Sequence, residues 1–231
     1  MTTTVPEALA NALSAPYRPQ ESFRWSRNPW TERMHDLPDV LNMLDALPER
    51  IDRQFVAETV SAEIEAGRVL PGFVATMVWG WGDKGGRGAV RTRWILTGVK
   101  GPGDEVASIP VDPSVADRLQ RGPRAVRGLG AVRGFREMNT DARIKHFGSS
   151  YFTKWLYFAS AASGVEGASA APILDDQIIK WLGHEAGIWF RSGSTKAYSA
   201  YLELLKGWGD RYDRTPVQVE TEMFRLATGR G

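Results

Sequence analysis

Residues 145 to 181 read KHFGSSYFTKWLYFASAASGVEGASAAPILDDQIIKW, and the rest of the chain is organised around them. Tyr151, Trp155, Leu156 and Phe158 recur at three- and four-residue spacing, which predicts a helix with a buried apolar side. Lys154 falls inside that pattern, near the first turns of the helix. Ahead of it, His146-Phe147-Gly148-Ser149-Ser150 contains a glycine and two serines, residues that suit a tight turn followed by an N-cap. Beyond a linker of small residues, Ile178, Ile179, Trp181 and Leu182 start a second helical pattern with Asp175 near its beginning, where a carboxylate faces the positive end of the helix dipole. The expected local structure is helix, short hairpin, helix.

Lys154 and Asp175, 21 positions apart, are the candidates for chemistry. A lysine amine is a poor nucleophile while protonated, so it needs desolvation and a neighbour that takes or offsets its charge. An aromatic setting and a carboxylate would supply both. The plainer alternative makes Lys154 a surface residue of an amphipathic helix and Asp175 a helix cap.

Phe147-Gly148, Thr153-Lys154 and Pro172-Ile173-Leu174-Asp175 resemble the helix-hairpin-helix DNA glycosylases, in particular their 8-oxoguanine branch. The similarity runs from about residue 140 to 228, with a weaker echo in the tryptophan-glycine segment 73 to 96. The resemblance implies that Lys154 ends the hairpin and attacks the sugar, while Asp175 stabilises the charge that develops there. It implies that Gly148, Ser149 and Ser150 present backbone amides to a DNA phosphate, and that the hairpin carbonyls offer a place for a monovalent cation, with no other cofactor. Gln177 stands where many members carry a histidine that contacts the DNA backbone, and Phe152 where the hairpin usually has its second glycine. Base recognition requires extrusion into a pocket, for which Trp79, Trp81, Phe147, Tyr151 and Trp155 are the aromatic candidates.

The expected function is a DNA glycosylase that removes a damaged or modified base, first an oxidised purine such as 8-oxoguanine, by base flipping and lysine attack, with strand cleavage through β-elimination as an extension. The same chemistry could instead remove hypermodified bases from phage DNA. The rival of another class is a helix-hairpin-helix protein that binds DNA without catalysis, which would require neither Lys154 nor Asp175.

A chain of 231 residues is long enough for a substantial core, and its formal charge of +2 does not by itself announce nucleic acid. The basic signal is local. Arg118, Arg121, Arg124, Arg127, Arg133 and Arg136 fall in one stretch free of acidic residues, so a phosphate-contacting surface including Arg124 and Arg127 is expected beside the alternative of a solvated face. The absence of cysteine excludes disulfides, thiolate nucleophiles and cysteine-held clusters, and three scattered histidines suggest no metal site. No basic, apolar leader and no run approaching the ~18 apolar residues of a membrane span occurs, so a cytoplasmic monomer acting on double-stranded DNA is expected.

Along the chain, residues 1 to 30 are read as a partly flexible arm with a short helix, and residues 31 to 231 as one two-lobed helical domain with its catalytic region at about 140 to 183 and the active site between the lobes. Periodicity predicts helices over Pro29–Leu47, Ile51–Gly67, the segment after Ala197 and the segment after Pro216. The glycine-rich run 82 to 88 is expected to be a loop with the helix resuming at Val90. Gly122-Pro123, Gly128 and Gly130 are expected to interrupt any continuous helix. No strand pattern of comparable strength appears, so the fold class is all-α or nearly so.

Overall fold

The structure, a computed structural model, describes residues 4–229. Its helices are α1 (Glu7–Ser14), α2 (Asn28–Arg33), α3 (Pro38–Ala46), α4 (Arg53–Glu65), α5 (Val69–Trp81), α6 (Gly85–Thr97), α7 (Gly103–Ala107), α8 (Ser114–Leu129), α9 (Ala131–Asn139), α10 (Ser149–Ser160), α11 (Asp176–Ala186), α12 (Thr195–Gly209) and α13 (Pro216–Thr228). The β-structure among the described residues is one antiparallel pair, β1 (Phe23–Arg24) with β2 (Arg50–Ile51), in the register Phe23 to Ile51. The fold is therefore mostly α, as the periodicity predicts. None of the helices is long and apolar enough to cross a membrane.

One continuous apolar core runs from Val5 and Leu9 of the N-terminal segment to Met223 of α13, with Trp155, Leu156 and Phe158 of α10 at its centre. The N-terminal arm is packed down within the described residues: Leu9 and Leu13 are buried, and α1 lies against α13. Residues 1 to 3 fall outside the described part.

Three expectations about helix breaks are corrected, the first by a proline and the other two by packing. The predicted helix Pro29–Leu47 is two helices, because Pro38 starts α3 at its first position and disfavours helical geometry in Leu37 before it. The glycine-rich run is helical from Gly85, not from Val90. Its glycines are contact points: a Cβ at Gly88 would stand 2.5 Å from Trp81 Cγ, and one at Gly85 3.0 Å from Trp30 Nε1. Lastly, α8 runs unbroken through Gly122 and Pro123 and ends only at Gly130, with φ of 85°. Gly122 lets Met138 and Leu156 approach its backbone, since a Cβ there would lie 2.7 Å from Met138 Sδ. Proline at 123 cannot donate to Leu119 O, one turn back. The Trp155 indole takes that carbonyl instead, Nε1 donating at 3.0 Å, so a buried acceptor keeps a partner.

The C-terminal helices follow local signals. Ser194 caps α12, accepting from the Ala197 amide, and Thr215 and Gln218 form a capping box ahead of Pro216 at the first position of α13, which ends on left-handed Gly229.

Candidate active site

The turn before α10 passes through His146 at φ 66°, a left-handed conformation uncommon outside glycine, and then extended Gly148. Gly148, rather than a serine, is the N-cap residue, and no side chain caps the helix. Ser149 Oγ is used elsewhere, pairing with Ser192 Oγ at 2.8 Å and accepting from the Gly193 amide at 3.2 Å. Ser150 Oγ donates to Asp176 Oδ1 at 2.8 Å. Gly148 is exposed, with no neighbour near the place of a Cβ. An uncapped N-terminus with an open glycine in front of it leaves amide donors and the positive helix end available to an anion.

In the second turn of α10, Lys154 is buried. Its Nζ donates to Asp175 Oδ2 at 2.8 Å and to Ser150 O at 3.0 Å. The stem lies along Gly80: a Cβ at that glycine would be 3.1 Å from Lys154 Cδ. Asp175 is the N-cap of α11, Oδ1 accepting from the amides of Gln177 at 3.0 Å and Ile178 at 3.2 Å. The two oxygens thus have separate tasks, one holding the helix and one the amine. Burial disfavours the Asp175 carboxylate, but the Lys154 charge and hydrogen bond, together with the two amides, outweigh it and hold the carboxyl below its ordinary pKa. Cap and charge partner are one residue, so the plainer sequence alternative is half right about Asp175 and wrong about an exposed Lys154.

Asp175 reaches this position on a segment without regular structure, whose backbone is held by side chains. Ser160 Oγ accepts from the Ala171 amide at 2.8 Å, Tyr198 Oη donates to Pro172 O at 2.8 Å, and Tyr201 Oη to Ile173 O at 2.8 Å. Thr153 Oγ1, next to Lys154, accepts from the Leu174 amide at 3.3 Å. Every residue from 170 to 175 is buried, so each of these bonds replaces lost water. Sequence reasoning passed over these positioning residues and Gly80; the spacing of Tyr198 and Tyr201 on one helix side is the signal that could have found the two tyrosines.

The five aromatic candidates divide. Trp81 and Tyr151 are half-buried and stacked, with centroids 5.6 Å apart and planes at 17°, and Tyr151 lies one turn before Lys154. The Trp81 indole Nε1 is buried without a hydrogen-bond partner. Trp79 is fastened inward: Nε1 donates to Gln20 Oε1 at 3.2 Å, Phe158 meets its ring edge-on at 5.0 Å and the Arg53 guanidinium lies 5.3 Å from its centroid. Phe147 and Trp155 both pack against Phe73, at 5.2 and 6.1 Å, and are buried core residues, contrary to the expectation that they line an open pocket, which leaves Trp81 and Tyr151 as the half-exposed aromatics beside Lys154. Arg53 also makes a buried two-point pair with Glu220, at 3.0 and 3.3 Å, and burial pushes the Glu220 carboxyl upward against the opposing Arg53 charge.

Gln177 is exposed on the first turn of α11. The arginine run of α8 is largely engaged: Arg118 donates to Arg143 O at 2.9 Å, Arg121 pairs with Glu137, and Arg127 Nε donates to Ala159 O at 2.5 Å. Arg124 is exposed, and it and Arg127 lie toward the end of α8 that accompanies the last turn of α10, away from Lys154. A surface cavity of about 640 Å³ opens at that far end, lined by Arg127, Ser160, Pro172, Lys206 and Pro216, and does not include Lys154 or Asp175.

A family model described as "Putative 8-oxoguanine DNA glycosylase OGG-like protein" matches residues 16–224. No curated protein and no solved structure matches.

Proposed function

The chain belongs to the OGG-like 8-oxoguanine DNA glycosylase family, whose model spans residues 16–224, and on that premise we propose that it excises an oxidised purine from duplex DNA with Lys154 as nucleophile and Asp175 as its charge partner. The observation that carries this reading is the buried amine 2.8 Å from a carboxylate whose other oxygen is fixed by two amides. A pair held this firmly needs little reorganisation when charge develops beside it.

In the reaction, the Lys154 amine must first lose a proton, and Asp175 is within hydrogen-bond distance to receive or relay it. The nitrogen then bonds to the anomeric carbon of the sugar. The glycosidic bond breaks with its electron pair going to the base, which takes up the proton relayed by Asp175 as it leaves, and the Asp175 carboxylate, ionised again, offsets the positive charge on the sugar. Opening of the sugar ring converts the adduct to an imine, and loss of the neighbouring proton expels the 3′ phosphate. The base enters beside Lys154 by parting Trp81 from Tyr151, and the unpartnered Trp81 N–H is a donor for an acceptor on its edge. The open N-terminus of α10 at Gly148, Ser149 and Ser150, with Gln177 beside it, takes a backbone phosphate. Arg124 and Arg127 are more distant contacts.

The reading is tested with duplexes that each carry one modified base, followed by measurement of free base and, separately, of strand cleavage before and after alkali. Release of an oxidised purine supports it. Tight duplex binding with no base released from any of them would favour a binding protein.

Gly80 offers a finer test. Gly80→Ala puts a methyl group 3.1 Å from Lys154 Cδ and forces the stem to move by a few tenths of an ångström. The single-turnover excision rate should fall roughly tenfold, because small misplacements of a reacting group are costly, with duplex affinity unchanged. An unaltered rate would mean that the Lys154 position is not critical.

A further inference from the structure

Trp94 of α6 gathers two cations and an imidazole ring from three separate segments. The Arg91 guanidinium lies 5.5 Å from its ring centroid and the Lys100 ammonium 5.6 Å, while the His146 ring meets it at 6.3 Å. The indole itself is pinned, Nε1 donating to Gly101 O at 2.8 Å. Lys145 adjoins His146 in the turn before α10. Arg91, Lys100 and Lys145 are exposed, and none of them takes part in an ion pair among the described residues. Burial first, and then the charges of Lys145, Lys100 and Arg91, hold the His146 imidazole below its ordinary pKa. The charged side chains acting on the His146 ring are thus all cationic.

Like charges brought together without ion-pair partners cost stability, and the cost is recovered when a polyanion is bound. The cluster also adjoins the candidate site on two sides. Arg91 lies 6.0 Å from the Tyr151 centroid, and Tyr151 stacks on Trp81 next to Lys154. Lys145 and His146 lead directly into Gly148 and the uncapped end of α10.

We propose that Arg91, Lys100 and Lys145 form a second phosphate site, which binds the backbone of the same duplex that presents its base to Lys154. The inference rests on the glycosylase reading for its ligand, but its residues lie outside the arginine run that the sequence singles out. Arg118, Arg121 and Arg127 of α8 are occupied by carbonyls and Glu137 and the exposed Arg124 lies away from Lys154, whereas these three cations are free of ion pairs and border the candidate site.

The test is the affinity of the full chain for an unmodified duplex, measured by fluorescence anisotropy over a range of salt, for the wild type and for Lys100→Ala combined with Lys145→Ala. Both side chains are exposed, so the double variant is expected to fold. Its log affinity against log salt should have a slope smaller by about two than that of the wild type, and its affinity near physiological salt should be lower by a factor on the order of ten to a hundred. A salt-dependent wild type with a double variant of the same slope and affinity overturns this site and leaves the glycosylase reading standing. A wild type without salt-dependent duplex affinity overturns both.

Discussion

Borohydride added during turnover of the excised substrate leaves a covalent protein-DNA adduct at Lys154, because an imine between amine and sugar is reduced to a stable bond whereas an amine that only pairs with Asp175 is not. Lys154→Gln abolishes this adduct. Glutamine keeps most of the volume of the lysine and an N–H donor on a stem one atom shorter, so the buried slot beside Gly80 stays largely filled and duplex affinity is retained. The excision rate should drop by a factor on the order of a thousand or more, and strand cleavage should vanish with it. The measurement is peptide mapping of the reduced adduct together with single-turnover rates for both proteins. An adduct that maps to another residue, or excision at the normal rate in the variant, removes Lys154 as nucleophile; the latter result leaves water activated by Asp175.

Asp175→Asn separates the two tasks of one side chain. Asparagine is as good an N-cap as aspartate, so the acceptor for the Gln177 and Ile178 amides survives while the charge facing Lys154 is lost. Turnover should fall by a factor on the order of a hundred or more with little change in duplex affinity, as is typical when a preorganised electrostatic contact to the transition state is removed. The variant should lose about 1–3 kcal/mol of stability, since a buried charged donor loses its charged acceptor. Stability against pH provides an independent check. The native carboxyl has a depressed pKa, so its contribution is fully present above the unfolded value of about 4 and disappears as pH falls through the native one. Denaturant unfolding of wild type and Asp175→Asn should therefore converge in the acid range. Parallel loss of binding and rate in this variant would identify Asp175 as a cap alone.

Much of this site is written locally. The period of Tyr151, Trp155, Leu156 and Phe158 specifies α10, the apolar run after Asp175 specifies α11, and Asp175 has the type and place of an N-cap. Lysine, aspartate, their order and their spacing are visible in the chain because both lie on neighbouring helices joined by one linker. The choice of cap before α10 was not visible, since Ser149 prefers a partner 43 residues away. Nor was the division of the aromatics: Trp81 and Trp155 are equally apolar in sequence, but one is half-exposed against Tyr151 and the other serves a carbonyl freed by Pro123.

The sequence by itself determined the mostly helical fold and the starts of α11 at Asp175 and of α13 at Pro216, because periodicity and capping act within a few turns of chain, whereas the pairing of Lys154 with Asp175 was implied by the family resemblance and is made by the fold at 2.8 Å. Only the tertiary structure decided that α8 continues through Gly122-Pro123 and α6 through Gly85 to Gly88, where close packing against Met138, Leu156, Trp30 and Trp81 overrides weak helix propensity. It also decided that Arg53 meets Glu220 across 167 positions, and that Arg91, Lys100 and His146 converge on Trp94. Charges and rings so far apart in sequence become neighbours only once the core has brought their helices together, and no local pattern encodes that distance.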